Sequence, residues 1–98
     1  MNAAGSLGFA PDPHLLIDLS LLGAFVTNPI SLVSRSPAQE RACLLYPGGF
    51  LLHTGYPNPG IRAVLRRYGR RWKQSRMPIL VHTLAQHGEE VFKIVRLL

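Results

Sequence analysis

The sequence of 98 residues has a single cysteine, Cys43, and few acidic residues, with 5 Asp and Glu against 11 Lys and Arg. A lone cysteine excludes a disulfide within the chain, which is typical of a protein from a reducing compartment. No apolar run reaches the roughly 18 uncharged residues of a membrane span, because Asp18 and Gly23 interrupt the longest one. The amino terminus also lacks a basic region and a cleavage site, so no signal peptide is predicted. We therefore expect a cytoplasmic protein with no membrane partner.

Several chemical signatures are also missing. The sequence has no Gly-x-Gly-x-x-Gly segment and no Walker loop, the two glycine-rich motifs that hold nucleotide phosphates. Its four histidines do not have the spacing of metal ligands and have no carboxylates at the matching positions. The sequence therefore predicts no metal site.

The composition favours one small α/β domain. Hydrophobic residues make up 47% of the chain and charged residues 16%, which excludes a disordered tail. The segments 24–27 and 79–81 are continuous apolar runs, as expected for parallel strands covered on both faces. We expect strands and helices to alternate along the chain, which is typical of a parallel α/β fold.

The sequence predicts three helices. Asp12 and Pro13 would begin the first, over about 13–22, Asn58 as N-cap and Pro59 would begin the second, and Gly88 would begin the third. Their apolar positions follow helical spacing and predict one core face for each helix. The first face is Leu15, Leu16, Leu19 and Leu22, and the second is Ile61, Val64, Leu65, Tyr68 and Trp72. The third is Val91, Ile94, Val95 and Leu98. A short strand or hairpin is expected within 43–52.

The most informative feature is a glycine-rich loop over 47–60, between the strand-like segments 23–28 and 78–83. Ligands of parallel α/β proteins bind at the carboxyl ends of strands, so this loop is a candidate ligand site. The chain opens on small residues and closes within an apolar periodic pattern. From this we expect a domain that is incomplete at both ends, or a subunit that needs a partner to cover its sheet.

Four segments in order resemble the amino-terminal part of the dihydroorotate dehydrogenase family. They are Asn2-Ala3-Ala4-Gly5, Gly23-Ala24-Phe25-Val26-Thr27-Asn28, the loop 49–60 and the strand 78–85. Members of that family are FMN-dependent (β/α)8 barrels. The resemblance implies that residues 1–98 form a partial TIM barrel of about the first three βα units.

The resemblance also implies roles for individual residues. FMN would be contacted by Ala4, Gly5, Thr27, Asn28 and His82, and a dihydroorotate-like small molecule by Leu52, Thr54, Gly55, Tyr56 and Asn58. The reaction implied is the oxidation of dihydroorotate to orotate in pyrimidine biosynthesis. The family's catalytic Cys or Ser lies on a later loop than the 98 residues reach, and Cys43 lies too early to be that base, so no catalytic residue is assigned. The isolated chain is expected to be inactive, and its expected partner is the remainder of the barrel or a second copy.

Three positions depart from the family pattern. Asn28 stands where the family has a lysine, Leu52 where it has an asparagine, and His82 where it has Asn or Ser. The lost cation and amide are groups that would pair an anionic substrate. A first alternative is therefore a flavin enzyme of the same fold with a different substrate.

A second alternative rests on a basic run. Seven cations lie within 62–76, and they are Arg62, Arg66, Arg67, Arg70, Arg71, Lys73 and Arg76. Such a run is also typical of a non-catalytic module that binds nucleic acid. However, the same helix has a clean apolar face, so its other face must be solvated, and Tyr68 and Trp72 lie on the core side rather than among the cations. We therefore expect no nucleic-acid partner.

Overall fold

The computed structural model describes residues 1–39 and 43–98, and within them the chain forms a mixed α/β structure. The elements are β1 (Phe25–Val26), β2 (Ile30–Ser31), β3 (Cys43–Tyr46), β4 (Gly49–Leu52), α1 (Ile61–Gln74), β5 (Ile79–Leu80), β6 (Thr83–Leu84) and α2 (Gly88–Leu97). The described strands pair two by two, β1 with β5, β2 with β6 and β3 with β4.

The first two strand pairs are parallel, and β2 follows β1 along the chain just as β6 follows β5. Phe25 lies opposite Ile79 in the first pair. Ile30 lies opposite Thr83 in the second, so the register has shifted by one residue. The shift arises because three residues, 27–29, separate β1 from β2, whereas two residues separate β5 from β6. The extra residue makes a β-bulge within 27–29, where Pro29 has no N–H for the ladder.

A side chain completes the hydrogen-bond ladder at this bulge. The Thr27 N–H donates to the Leu80 carbonyl at 3.0 Å, and the Ile30 N–H donates to the His82 carbonyl at 2.9 Å. Between them, the His82 N–H donates to the Thr27 hydroxyl oxygen at 3.0 Å. The hydroxyl thus replaces a backbone acceptor, and the two parallel pairs stay aligned across the break.

The expected hairpin is confirmed in the part of 43–52 that the structure describes. β3 and β4 are antiparallel, with Cys43 opposite Leu52 and Tyr46 opposite Gly49. Pro47 and Gly48 form the turn, where Gly48 has a φ of +91° that favours glycine.

The core lies where α1 and α2 pack on β2. Ile30, Ile61, Val64 and Ile94 are fully buried and contact one another. Partly buried side chains surround them, including Leu65, Tyr68 and Trp72, so the predicted core face of α1 is confirmed. The Trp72 indole N–H also donates to the Phe9 carbonyl at 2.8 Å and ties the amino-terminal segment to α1.

The helix predicted over 13–22 is wrong. The segment contains turns and one short 3-10 helix, Leu19–Leu21, and Leu16 is exposed. Asp12 and Asp18 explain the error, because each carboxylate accepts the N–H two residues on, from His14 and Ser20, at 3.0 Å. Such turns compete with helical hydrogen bonding. The Ser20 hydroxyl, and then its N–H, lower the pKa of Asp18, which favours the charged, turn-forming state.

Two further predictions are corrected at the other helices. α1 begins at Ile61 with Gly60 as its N-cap, not with Asn58, because the Asn58 side chain binds β2 instead. α2 begins at Gly88 as predicted, but of its expected core face only Ile94 is buried. Val91, Val95 and Leu98 are exposed, since the described two-stranded pairs are too narrow to cover that side of the helix.

The adjacent positions Ile94 and Val95 test this packing. We expect Ile94→Ala to lower the free energy of unfolding by about 2–4 kcal/mol, because Ile94 is fully buried. Val95→Ala should change it by less than about 0.5 kcal/mol, because Val95 is largely exposed. Urea unfolding followed by circular dichroism measures both variants, and equal losses would contradict the burial of Ile94.

Candidate ligand site at the strand ends

The amino-terminal segment is held against β1 by one side chain. The Asn2 amide oxygen accepts the Val26 N–H at 2.7 Å, and its amide nitrogen donates to the Val26 carbonyl at 2.8 Å. Residues 3–6 then turn tightly, with the Ser6 hydroxyl donating to the Ala3 carbonyl at 2.6 Å. Ala4 and Gly5 are exposed on this turn, so their backbone is open to a ligand beside the end of β1.

Gly5 is required at this turn by its backbone conformation. Its φ is +80°, which side-chain-bearing residues rarely adopt. A Cβ on Gly5 would lie 4.0 Å from the Pro29 Cδ, which is an ordinary contact. The turn therefore lies directly beside the β-bulge.

Asn28 fixes the same segment from the bulge. Its N–H donates to the Gly8 carbonyl at 2.8 Å, and its side-chain oxygen accepts the Gly8 N–H at 3.1 Å. The side-chain amide nitrogen of Asn28 donates to none of the residues that the structure describes. Asn28 thus anchors the amino-terminal segment and keeps two amide hydrogens for a ligand.

His82 lies next to Thr27 across the ladder. Thr27 is fully buried, and its hydroxyl oxygen is engaged by the His82 N–H. The Nδ1 atom of His82 is buried without a hydrogen-bond partner among the described residues. An unpaired buried polar atom costs roughly 1–3 kcal/mol, so a hydrogen-bond partner at this nitrogen would stabilise the structure. Thr27 thus contacts His82, and Gly5 lies beside Pro29, next to Asn28. The cofactor roles of Ala4, Gly5, Thr27, Asn28 and His82 stay predictions.

The loop 54–60 is fixed separately, against residues 35–38. Arg35 and Asn58 exchange backbone hydrogen bonds of 2.8 and 3.1 Å, and the Arg35 Nε–H donates to the Gly55 carbonyl at 3.2 Å. The Ala38 N–H donates to the Thr54 carbonyl at 3.1 Å. A Cβ on Gly55 would lie 2.9 Å from the Ala38 nitrogen, so only glycine fits this approach.

Tyr56 has an unusual conformation within this loop. Its φ of +49° follows the +72° of Gly55, and a tyrosine in that region is strained. The Tyr56 N–H donates to the Thr54 hydroxyl at 3.1 Å, and the Tyr56 side chain is 56% exposed. This strained backbone thus holds the Tyr56 ring at the surface of the loop.

Asn58 is the buried centre of the loop. Its side-chain oxygen accepts the N–H groups of Ser31 and Gly60 at 3.1 and 3.0 Å. Its amide nitrogen donates to the Ser31 hydroxyl at 2.9 Å and to the Tyr56 carbonyl at 3.1 Å. These bonds use the amide within the protein and leave the residue 6% exposed. Asn58 therefore positions Tyr56 and the start of α1.

Leu52 lies apart from these fixed points. It is the last residue of β4 and is exposed, as is Thr54 after it. The two groups of predicted site residues are connected through one stretch of chain, because Asn58 binds Ser31, three residues after Asn28. Sequence reasoning missed Asn2, Ser31 and Arg35 as the residues that hold the site together. The sequence signal for the β-bulge was Pro29, a proline that follows the apolar strand segment.

Within the described residues, no helix has the length and apolarity to cross a membrane. The same part of the chain has no cluster of three His, Cys, Asp or Glu side chains that could bind a metal ion.

The hydrogen bonds of Asn58 lead to a stability prediction. We expect Asn58→Ala to lower the free energy of unfolding by about 2–4 kcal/mol, because it leaves buried groups of Ser31, Tyr56 and Gly60 unpaired. Gln86→Ala is the control, since it removes an exposed amide and should cost less than about 0.5 kcal/mol. Urea unfolding measures both, and an Asn58 variant as stable as the control would refute the role of this side chain.

No protein-family model and no solved structure matches this sequence. Among curated proteins it is similar to catalytic subunits of dihydroorotate dehydrogenase B (NAD(+)). It is 34% identical to that of Trichlorobacter lovleyi over 67 residues, which cover 68% of this chain and 22% of that protein. It is 29% identical to that of Desulforudis audaxviator over 97 residues, with coverages of 99% and 31%. It is 40% identical to that of Caldicellulosiruptor saccharolyticus over 62 residues, with coverages of 62% and 20%.

The chain thus spans about a third or less of the length of these curated relatives. The repeated similarity to one kind of protein, over up to 99% of this chain, supports a relation to the dihydroorotate dehydrogenase family.

Proposed function

We propose that this chain is the amino-terminal part of an FMN-dependent oxidoreductase related to dihydroorotate dehydrogenase. The observation that carries the proposal is the grouping at the β-bulge, where an exposed glycine turn adjoins two unused polar groups. These groups are the amide nitrogen of Asn28 and the buried Nδ1 of His82. In this proposal, residues 1–98 supply the first βα units of the barrel, which agrees with the share of the relatives that the chain covers.

The residues at the bulge fit a flavin. Gly5 and Ala4 expose backbone that a flat ring could approach closely. The Asn28 amide can donate a hydrogen bond, and a histidine nitrogen can donate or accept one. This set matches the edge of a flavin ring, which has both donors and acceptors. Thr27 would contribute by holding the His82 backbone, because its hydroxyl oxygen already accepts that N–H. FMN, when bound, would supply the acceptor for the hydride lost by the substrate.

The substrate would be a small molecule facing the loop 52–58. Gly55 and Tyr56 would present their backbone and the exposed ring, while Asn58 would keep them in place. The reaction proposed is the oxidation of a dihydroorotate-like compound at a carbon–carbon bond.

A second candidate is a flavin enzyme of the same fold with another substrate. Two observations favour it, because Asn28 provides no positive charge where the family has lysine, and Leu52 presents an exposed apolar side chain. A less anionic substrate than dihydroorotate would match such a surface. Comparing the reduction of bound flavin by dihydroorotate and by uncharged cyclic analogues distinguishes the two substrates.

The direct test is the flavin content of the native polypeptide. Antibodies raised against residues 1–98 would isolate the polypeptide from its cells, and its absorption spectrum and mass would be recorded. We expect a flavin spectrum, FMN released on denaturation, and a mass close to that of the relatives. A flavin-free polypeptide would contradict the proposal.

His82 gives the residue-specific test on the flavin-binding polypeptide. We expect His82→Leu to weaken FMN binding about tenfold, which corresponds to one lost hydrogen bond. His87→Leu is the matched control, because His87 is exposed and makes no side-chain cap bond at α2. Quenching of flavin fluorescence measures both dissociation constants. Equal FMN affinities for the two variants would contradict a contact between His82 and the flavin.

A further inference from the structure

A second concave site lies between the two helices, away from the β-bulge. It is a cleft of about 760 Å³ in which the start of α1 meets the last turns of α2. Four of its lining side chains are cationic, and they are Arg62, Arg66, Lys93 and Arg96. None of the lining residues carries a carboxylate. The cleft therefore concentrates positive charge from two separate helices.

The charge of this cleft is not balanced by α2 itself. Its acidic residues, Glu89 and Glu90, are in the first turn, whereas Arg96 is in the last turn. The Glu90 carboxylate accepts the Gln86 N–H at 3.1 Å, at the opposite end of the helix from the cleft. Arg96 is a cation in the last turn, where it favours the negative end of the α2 dipole, and its guanidinium lies 5.5 Å from the centre of the Phe92 ring.

The amino end of α1 adds to the same potential. Gly60 lines the cleft and has no side chain to cap the helix. The first intrahelical bond is from the Val64 N–H to the Gly60 carbonyl, so the N–H groups of residues 61–63 have no partner within the helix. Free N–H groups and the helix dipole favour an anion at this position. The first turn contains no acidic residue that would occupy it instead.

The rest of the lining is mostly apolar. It consists of Leu32, Val33, Pro59, Ala63 and Leu97, together with Ser34 and Gly60. A cleft of this size with apolar walls and a few converging charges is typical of a small-molecule site. The aromatic residues of α1, Tyr68 and Trp72, pack on the core and do not line the cleft.

We propose that this cleft binds an organic phosphate, a compact apolar or aromatic body that carries one or two phosphate groups. Arg62, Arg66, Lys93 and Arg96 bind the phosphate oxygens, and the apolar lining contacts the body. The site uses none of the residues proposed for FMN or the substrate, so it does not rest on the oxidoreductase proposal.

The test uses adenosine diphosphate and inorganic pyrophosphate as probes, with calorimetric titration of the whole chain. Two double variants remove two charges each, Arg62→Gln with Arg66→Gln on α1, and Lys93→Gln with Arg96→Gln on α2. The matched control, Arg70→Gln with Lys73→Gln, removes two exposed charges from α1 outside the cleft.

We expect the original chain to bind adenosine diphosphate more tightly than pyrophosphate, because only the former contacts the apolar lining. Each cleft variant should weaken adenosine diphosphate binding at least about tenfold, and the control less than about twofold. All three variants change exposed side chains, and unchanged circular dichroism would show that they fold.

Three results would overturn the proposal. The first is that neither probe binds the original chain. The second is that the control loses as much affinity as the cleft variants, which would show only a general effect of charge. The third is that a single-stranded oligonucleotide binds far more tightly than adenosine diphosphate, with equal losses in all three variants, which would show a nucleic-acid surface along α1. Riboflavin, which carries no phosphate, separates this site from the flavin site, because its affinity should fall with His82→Leu and not with the cleft variants.

Discussion

The buried amide of Asn58 is the constraint on which the arrangement of this chain depends. It connects Ser31 on β2 to the loop that carries Tyr56 and to Gly60 at the start of α1. Ile61 and Val64, just beyond this point, are fully buried in the core. A Cβ on Gly60 would lie 2.9 Å from the Ser34 nitrogen, so the backbone packs too closely there for a larger residue. The loop and the core are therefore fixed by the same hydrogen bonds.

The β-bulge has a related double role. An extra residue between β1 and β2 interrupts the parallel ladder, and Thr27 restores the alignment with its hydroxyl. The same interruption turns Asn28 toward Gly8 and leaves Nδ1 of His82 without a partner. The backbone ladder does not use these side-chain groups, so they are the hydrogen-bonding capacity that the proposed cofactor would use. This is the physical reason for placing a cofactor at this point rather than elsewhere on the ladder.

The parts of the fold that depend on local periodicity could be predicted from the sequence. The core face of α1, the hairpin within 43–52 and the start of α2 follow from spacing and turn residues, and the structure confirms them. The helix over 13–22 failed because Asp12 and Asp18 bind their own backbone, a choice that apolar spacing does not reveal. Asn58 was correctly singled out and wrongly explained, since its partner Ser31 is 27 residues away. The residues of the candidate site were taken from the family resemblance and their roles stay predictions, whereas the hydrogen bonds of Asn2 and Arg35 required the tertiary structure.

The central claim is that a flavin binds at the β-bulge and not in the basic cleft between the helices. Nuclear magnetic resonance titration of the isotope-labelled chain with riboflavin, which has the flavin ring but no phosphate, tests it most directly, because each backbone amide reports its own surroundings. The account predicts that the largest shifts fall on the amides of Gly5, Asn28 and His82, and that those of Arg62 and Arg96 shift least. Shifts confined to the cleft, or no saturable shifts at the bulge, would contradict it.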